Sequence, residues 1–499
     1  MKRLIIYLIL ALFLFPHLHA QSYYDVKDYG AVGDGKTLCT TAFQKAVDDC
    51  AKAGGGQIIF PSGRYLTGPI FLKSNIQLEI MAGAVLVFDN NISQTPVVEG
   101  SWEGIGRKIY ASLFTGFDLE NISISGRGTL EGQGEAWWEA YRQTEILRKK
   151  LNIVEREPDN PPGSPLPFPR PRMINLYHSK NILISDITIL NSPSWSIHPV
   201  YCENITIRGI SIIQPYGSPN TDGINPESCK FVRISDSFID CGDDCITLKS
   251  GYNKYGRDIG IASENIVITN CSFAHGRSAI GIGSEMSGGI RNVTVTNCVF
   301  NGTLRGIRIK TARGRGGVVE NINISNIVMD NVSEGISLDM YYDSRSEEPE
   351  PVSEATPIFK NFRFTNITGT RIREAMNISG LPESPLEDIR FLQISLTSST
   401  GIKCRFAKGI QFIDCEVNVD NGPSFFIRKS SKILLDHVEG RQSRAGMPFI
   451  SAELSKNMIV RNCQAASYSG IFIQTKDSEN VEFINNLFPK SAISKIKSK

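Results

Sequence analysis

The sequence predicts an all-β fold: a single-stranded, right-handed parallel β-helix closed at its N-terminal end by a short capping helix. Three observations predict it. A phrase of the form Asn-Ile-x-Ile recurs at Asn75, Asn121, Asn181, Asn204, Asn265, Asn292, Asn321, Asn361, Asn457 and Asn480, with degenerate copies near Phe231, Asp388, Gly409 and Lys432. Most neighbouring copies from Asn181 onward lie 21 to 34 residues apart, the period of stacked coils rather than of separate globular units. Within each copy apolar and polar residues alternate, as in Asn204-Ile205-Thr206-Ile207, the period-2 pattern of a strand with one buried face. A seven-bladed propeller needs repeats of ~40 residues, and the spacing is too short for blades. A length of 499 residues loosely suggests about three domains; the repeat reduces them to one, residues 21–499.

Taken in chain order, residues 1–20 stand apart. Lys2 and Arg3 precede an apolar run from Leu4 to Phe15, and Leu18-His19-Ala20 offers a small residue for cleavage before Gln21. This reads as a secretory signal peptide; a transmembrane anchor would need ~20 apolar residues. The mature chain is therefore expected to be exported, periplasmic or extracellular, with no membrane span. Next, Thr40 to Lys52 places Ala42, Phe43, Ala46, Val47 and Cys50 on one stripe before Gly54-Gly55-Gly56, an amphipathic helix with a stop signal. Such a helix caps the open solenoid end, which otherwise exposes core and strand edges. A long excursion then runs from about Glu131 to Pro171, with Trp137, Trp138, a helix through Lys150 and seven prolines from Pro158 onward. Excursions of that length between coils are often functional, and its tryptophans are candidates either for stacking on a sugar or for packing beneath the loop.

Composition limits the partners. Lys plus Arg total 53 against 51 for Asp plus Glu, a net charge of +2, so there is no global attraction for nucleic acid or an acidic membrane. The 11 cysteines leave at least one thiol unpaired within the chain. Cys271, Cys298, Cys415 and Cys463 each fall six residues after the opening of a repeat, which suits an inward stack of small hydrophobes. Cys241 and Cys245 could pair with each other or form half a metal site, but no second pair has zinc-ligand spacing. No metal and no cofactor are expected. Gly30-Ala31-Val32-Gly33-Asp34-Gly35-Lys36-Thr37 fits the P-loop expression; in a β-solenoid it reads instead as a glycine-rich turn leading into the capping helix.

The chemistry-bearing constellation is Asn220-Thr221-Asp222, then Gly242-Asp243-Asp244, then His275-Gly276, then Arg308-Ile309-Lys310. The intervals match successive coils, whose equivalent positions lie ~4.8 Å apart. Inverting cleavage of a glycosidic bond needs one protonated carboxyl for the leaving oxygen and an ionised one to activate water, and clustered carboxylates drive at least one pKa upward. Asp243 and Asp244 point to opposite faces of a regular strand; for both to reach one cleft, the chain must bend, and Gly242 permits it. Arg308 and Lys310 share a face and suit a carboxylate-bearing sugar, while His275 is placed to orient an aspartate or hydrogen-bond the substrate.

These four phrases resemble the signature motifs of the polygalacturonase family, glycoside hydrolase family 28. The opening from Tyr29 to Tyr65 is similar to the capping segment of its bacterial and plant members. The resemblance covers most of the mature chain and implies a monomeric, inverting hydrolase of α-1,4 linkages in pectic galacturonan. It implies Asp243 as general acid, Asp222 and Asp244 as the pair activating water, and His275 as the supporting histidine. Asn220, Arg308, Lys310 and one of Tyr341 and Tyr342 are implied to bind substrate. Ala274 departs from the glycine that many members carry, and forbids φ > 0 there. Intact second and fourth motifs favour galacturonan over rhamnogalacturonan or xylogalacturonan. Exo-action is favoured if the Glu131–Pro171 excursion walls off one end of the cleft. A calcium-dependent pectate-lyase-like enzyme and a non-catalytic polysaccharide-binding solenoid are the rival readings.

Overall fold

The computed structural model describes residues 23–153, 160–343, 346–441, 447–465, 470–487 and 496–498. The expected signal peptide and Pro158 lie outside these residues. Strand after strand pairs in parallel with its counterpart one coil on, for example Ile182↔Ile205 and Val293↔Ile322, and the whole is a right-handed parallel β-helix. The alternating residues of the repeat fill its interior: Ile182, Ile184, Ile205, Ile207, Val232, Ile234, Ile266 and Ile268 are all buried. Phe364, Phe391 and Phe412 stack inside successive coils at 4.9 Å.

The asparagine that opens each phrase has a backbone reason. Asn75, Asn121, Asn181, Asn204, Asn265, Asn292, Asn321, Asn361, Asn457 and Asn480 all have positive φ, and so do Phe231, Asp388, Gly409 and Lys432 of the degenerate copies. Asn tolerates this left-handed conformation better than other L-residues with a Cβ. Its amide also bonds along the solenoid: Asn121 Nδ2 donates to Asn75 Oδ1 (2.7 Å), Asn181 to Asn121 (3.0 Å) and Asn204 to Asn181 (2.7 Å). Where Phe231 replaces the next asparagine, Arg233 Nη2 donates to Asn204 Oδ1 instead (2.6 Å).

Helix α1 (Thr40–Lys52) buries Phe43, Ala46, Val47 and Cys50 against the first coils, as its stripe predicts. Helix α2 (Glu135–Lys150) lies in the excursion. An antiparallel hairpin, Val97–Trp102 with Ile105–Tyr110, is a third departure from the repeat, and one that the sequence did not reveal. The stacked cysteines are buried thiols, and Cys241 Sγ and Cys245 Sγ lie 3.3 Å apart in a hydrogen bond. No described helix is long and apolar enough to cross a membrane.

One wall of the solenoid carries Asp244, Arg308 and Lys310, with Asp222 just ahead of it and His275 at the end of the adjoining strand Ser272–His275. That wall comprises β1 (Ile197–Val200), a bridging segment at residues 224–227, then β2 (Asp244–Leu248), β3 (Ser278–Ile282), β4 (Arg305–Lys310) and β5 (Glu334–Asp339).

Candidate active site

The register of this wall fixes which groups stack. Thr247, Gly281, Arg308 and Ser337 form one column. Ile224 bridges Ile246, so Asp222 sits one coil from Asp244, and the Gly223 N–H donates to the Asp244 carbonyl (3.1 Å). The motifs thus gather on neighbouring columns rather than on a single one. Chain bending at Gly242 and Asp243 reverses the strand alternation: Cys245 is buried among core residues, while Asp244 reaches Lys310. Gly242 serves this bend by close approach and not by positive φ; a Cβ there would stand 2.4 Å from the Ser218 carbonyl oxygen.

The three carboxyls are electrostatically unequal. Burial pushes Asp222 well above the usual carboxylate range, and the charge of Asp243 adds to the shift; Asn225 Nδ2 donates to its Oδ2 at 2.9 Å. Burial, then Asp244, raises Asp243. Asp244 goes the other way. Burial alone would raise it, but Lys310, whose Nζ donates to Asp244 Oδ2 at 2.8 Å, and then Arg308 hold it below the usual range. Asp244 is therefore ionised at neutral pH, and mutual repulsion between Asp222 and Asp243 leaves a proton on one of them.

Facing this trio, Tyr342 lies under both cations, its ring 5.2 Å from the Arg308 guanidinium and 5.3 Å from Lys310 Nζ. Tyr341 is buried instead, against Arg405 and Arg313. Asn220 accepts through Oδ1 from Arg170 Nη2 (2.6 Å). His275 Nδ1 hydrogen-bonds Asp240 Oδ1 (2.9 Å) rather than one of the three aspartates, and its side chain is 53% exposed. The turn there puts positive φ on His275 and Gly276, so Ala274, in a regular strand, is not strained by its Cβ.

The excursion walls one side. Trp102, Tyr141, Arg170, Asn220 and Tyr342 are among the residues lining a cavity of about 370 Å³. Trp137 and Trp138 do not face it. Trp137 packs beneath the loop on Tyr110, and Trp138 Nε1 donates to the Ser192 carbonyl; of the two roles open to them, both take the packing one. The aromatic rings at the cavity are Trp102, stacked on Trp195 at 4.9 Å, and Tyr141, which carries the buried Arg170 guanidinium 4.1 Å from its ring centroid. Arg170 also donates to the carbonyls of Pro193 and Pro219, both at 2.8 Å. It thus ties the excursion to the segment leading into Asp222.

Beneath the carboxylates lies a buried polar layer that the sequence did not announce. His198 Nε2 and Glu227 Oε2 are 3.0 Å apart, and Lys249 pairs with Glu285 at 3.1 Å. Burial, then Arg172 and Lys249, keep His198 neutral, and burial lifts Glu227 to about 7 against the pull of Lys249. The only sequence signal was the outward phase of Glu227 and Lys249 on neighbouring strands.

Comparison with known proteins agrees with this geometry. The family model described as "Glycosyl hydrolases family 28" matches residues 167–415, and one described as "Rhamnogalacturonase A/epimerase, pectate lyase-like" matches residues 23–160. A probable polygalacturonase of Vitis vinifera is 36% identical over 418 residues, 79% of this chain and 80% of that protein. The crystal structure of a hyperthermoactive exopolygalacturonase from Thermotoga maritima superposes with a TM-score of 0.67 at 34% identity, covering 77% of this chain and 89% of that one. The polygalacturonase from Erwinia carotovora gives 0.63 at 25% identity, over 79% and 97%. With Asp222, Asp244, Arg308 and Lys310 brought together by coil stacking and relatives of this extent, the chain belongs to glycosyl hydrolases family 28.

Proposed function

We propose that the protein is an exported polygalacturonase, of the bacterial pectin-degrading type, that hydrolyses α-1,4-galacturonosyl linkages of pectin with inversion. The observation that carries this reading is the division among three neighbouring carboxyls, Asp244 held ionised by Lys310 and Arg308 while Asp222 and Asp243 are raised. Burial raises Asp222 further than Asp243 in the free site, so the reactive state is the one in which the shared proton has moved to Asp243, which donates it to the glycosidic oxygen as the bond to the anomeric carbon breaks. Asp222 and Asp244, both carboxylates, draw a proton from the water that attacks the opposite face. Arg308 and Lys310 grip a substrate carboxylate, with Tyr342 beneath them, and Asn220 adds a polar contact. His275, oriented by Asp240, is a substrate hydrogen-bonding group at the rim. Hydrolysis of this kind needs neither metal nor cofactor, unlike a calcium-dependent lyase.

Residues 1–20 serve as the export leader, which delivers a monomeric enzyme to the periplasm or beyond. The cavity walled by the excursion and the Val97–Tyr110 hairpin supports exo-action, since walls on that side favour a chain end over a chain middle. Replacing Asp243 with Asn tests the acid: turnover of galacturonan is lost while the fold persists, and a variant that retains activity refutes the assignment. Products from a defined oligogalacturonate test the mode: monomer from the outset supports exo-action, mixed oligomers refute it, and products absorbing in the near ultraviolet indicate a lyase.

A further inference from the structure

A second concavity, of about 560 Å³, lies on the other flank of Asp243. Its floor is backbone. Gly242, Gly276 and Gly302 occupy one turn in three consecutive coils, with Cys241↔His275 and Ala274↔Asn301 fixing their register. At one end stands Tyr216, 85% exposed. Along one wall come three arginines: Arg277, whose Nε lies 3.5 Å from Asp243 Oδ2, then Arg371 and Arg373. Backbone hydrogen bonds count the steps between them, Arg305 N to Arg277 O, Glu334 N to Leu304 O and Glu374 N to Ser333 O. Because the Arg277 N–H itself donates to the Asp243 carbonyl, the arginine wall ends three coils beyond Arg277 and four beyond Asp243, or ~19 Å at ~4.8 Å per coil.

Two further features mark the groove as built. The register slips between Gly369 and Ile372, a bulge that re-aims Arg371 and Arg373. Thr303, 1% exposed on the groove floor, has a buried hydroxyl with no hydrogen-bond partner, a state that invites a ligand or water. Arg371 closes its fork on Asp330 and Arg277 leans on Asp243, whereas exposed Arg373 makes no ion pair among the described residues. An exposed arginine fork at the far end of a backbone-floored groove suits a chain bearing a carboxylate on each unit, and a bare aromatic at the other end suits stacking on a sugar face.

We propose that this groove binds the polyuronate chain as it continues away from the cut, so that Arg373 and Tyr216 set the preference for long, unesterified substrate. This rests on the polygalacturonase reading and adds the residues that read chain length. Neither Arg373 nor Tyr216 belongs to the catalytic set, and Arg373 donates only through Nε to Ser333 Oγ (2.8 Å) within the described protein.

The test compares the full chain with Arg373→Ala, Arg373→Gln and Tyr216→Ala, using octagalacturonate, its methyl ester and trigalacturonate. Arg373→Ala should raise KM for the octamer roughly 5- to 10-fold with kcat unchanged. It should leave trigalacturonate and the methylated octamer unaffected, and flatten the salt dependence of KM. Tyr216→Ala should raise KM for both octamers alike. Equal changes for trimer and octamer, or none, overturn the proposal; Arg373→Gln repeats the test if the alanine variant melts early. Wild-type protein that cleaves none of the three refutes the polygalacturonase reading itself. Octamer binding to the chain, measured by calorimetry with and without Arg373→Ala, then judges the groove separately.

Discussion

Replacing Lys310 with Met isolates the interaction on which the division of protons depends. Lys310 and Asp244 are a buried pair at 2.8 Å, their side chains 8% and 3% exposed. Removing one member of such a pair strands the other charge and destabilises by about 3–5 kcal/mol. An unfolding entropy of about 2.1 cal/mol/K per residue over 499 residues corresponds to about 1.0 kcal/mol/K, so the thermal midpoint at pH 7 should fall by ~3–5 °C. The sign with pH follows from the direction of the shift. Asp244 is depressed in the folded protein, so its contribution is fully present above its unfolded pKa of about 3.9. It is lost as pH falls through the folded value. The difference between wild type and variant should therefore be largest near neutrality and shrink in strong acid. Without Lys310, burial raises the Asp244 carboxyl, and the acid limb of kcat/KM should move to higher pH. Losing a charged hydrogen bond worth about 1.5–3 kcal/mol in the transition state lowers kcat/KM ~10- to 150-fold. Calorimetric melts and a pH–rate profile on oligogalacturonate read both effects. An unmoved acid limb, with a midpoint loss independent of pH, would refute the argument that Lys310 keeps Asp244 ionised.

Three other perturbations bear on the same architecture. Glu227 is raised from 4.5 to about 7 by burial, so wild-type stability should decline as pH rises through that window and Glu227→Gln should abolish the decline; parallel pH–melting curves contradict it. Arg170→Lys keeps the charge but cannot hold Pro193, Pro219 and Asn220 together, so kcat should drop about 10-fold or more with a lower melting midpoint, whereas wild-type kinetics would show the strap to be idle. Tyr342→Ala should raise KM several-fold, while Tyr341→Phe, which removes a buried hydroxyl without a partner, should leave activity and stability within about 0.5 kcal/mol of wild type; the reverse ranking would exchange their roles.

Much of this molecule was legible because its repeat is a backbone requirement written in side chains. Asn is demanded where φ is positive, and isoleucines are demanded where strands face inward, so coil positions such as Asn204 to Ile207 betray themselves locally. The motif residues followed, since coil spacing alone brings Asp222 beside Asp244. What stayed hidden depends on turns. Whether Tyr341 or Tyr342 faces the cleft is decided by how the chain leaves β5, and His275 found Asp240 because its own backbone turns left-handed. Trp137 and Trp138 looked available for sugar because nothing in the excursion's sequence tells which side of α2 meets the solenoid. The His198–Glu227 pair and the Lys249–Glu285 pair were invisible for a different reason: His198 and Lys249 read as ordinary surface positions until Trp195, stacked on Trp102 of the hairpin, packs against them.

The asparagine ladder carries an evolutionary corollary. Its rungs join residues 23 positions apart at Asn181–Asn204, 40 apart at Asn321–Asn361 and 60 apart at Asn121–Asn181, without distinguishing between them. Each amide locks the phase of its own winding and ignores how much polypeptide was spliced in since the last one. Lineages can therefore graft, trim or exchange whole decorations as cassettes, changing which polymer is admitted, while the hydrolytic machinery keeps its alignment to the ångström.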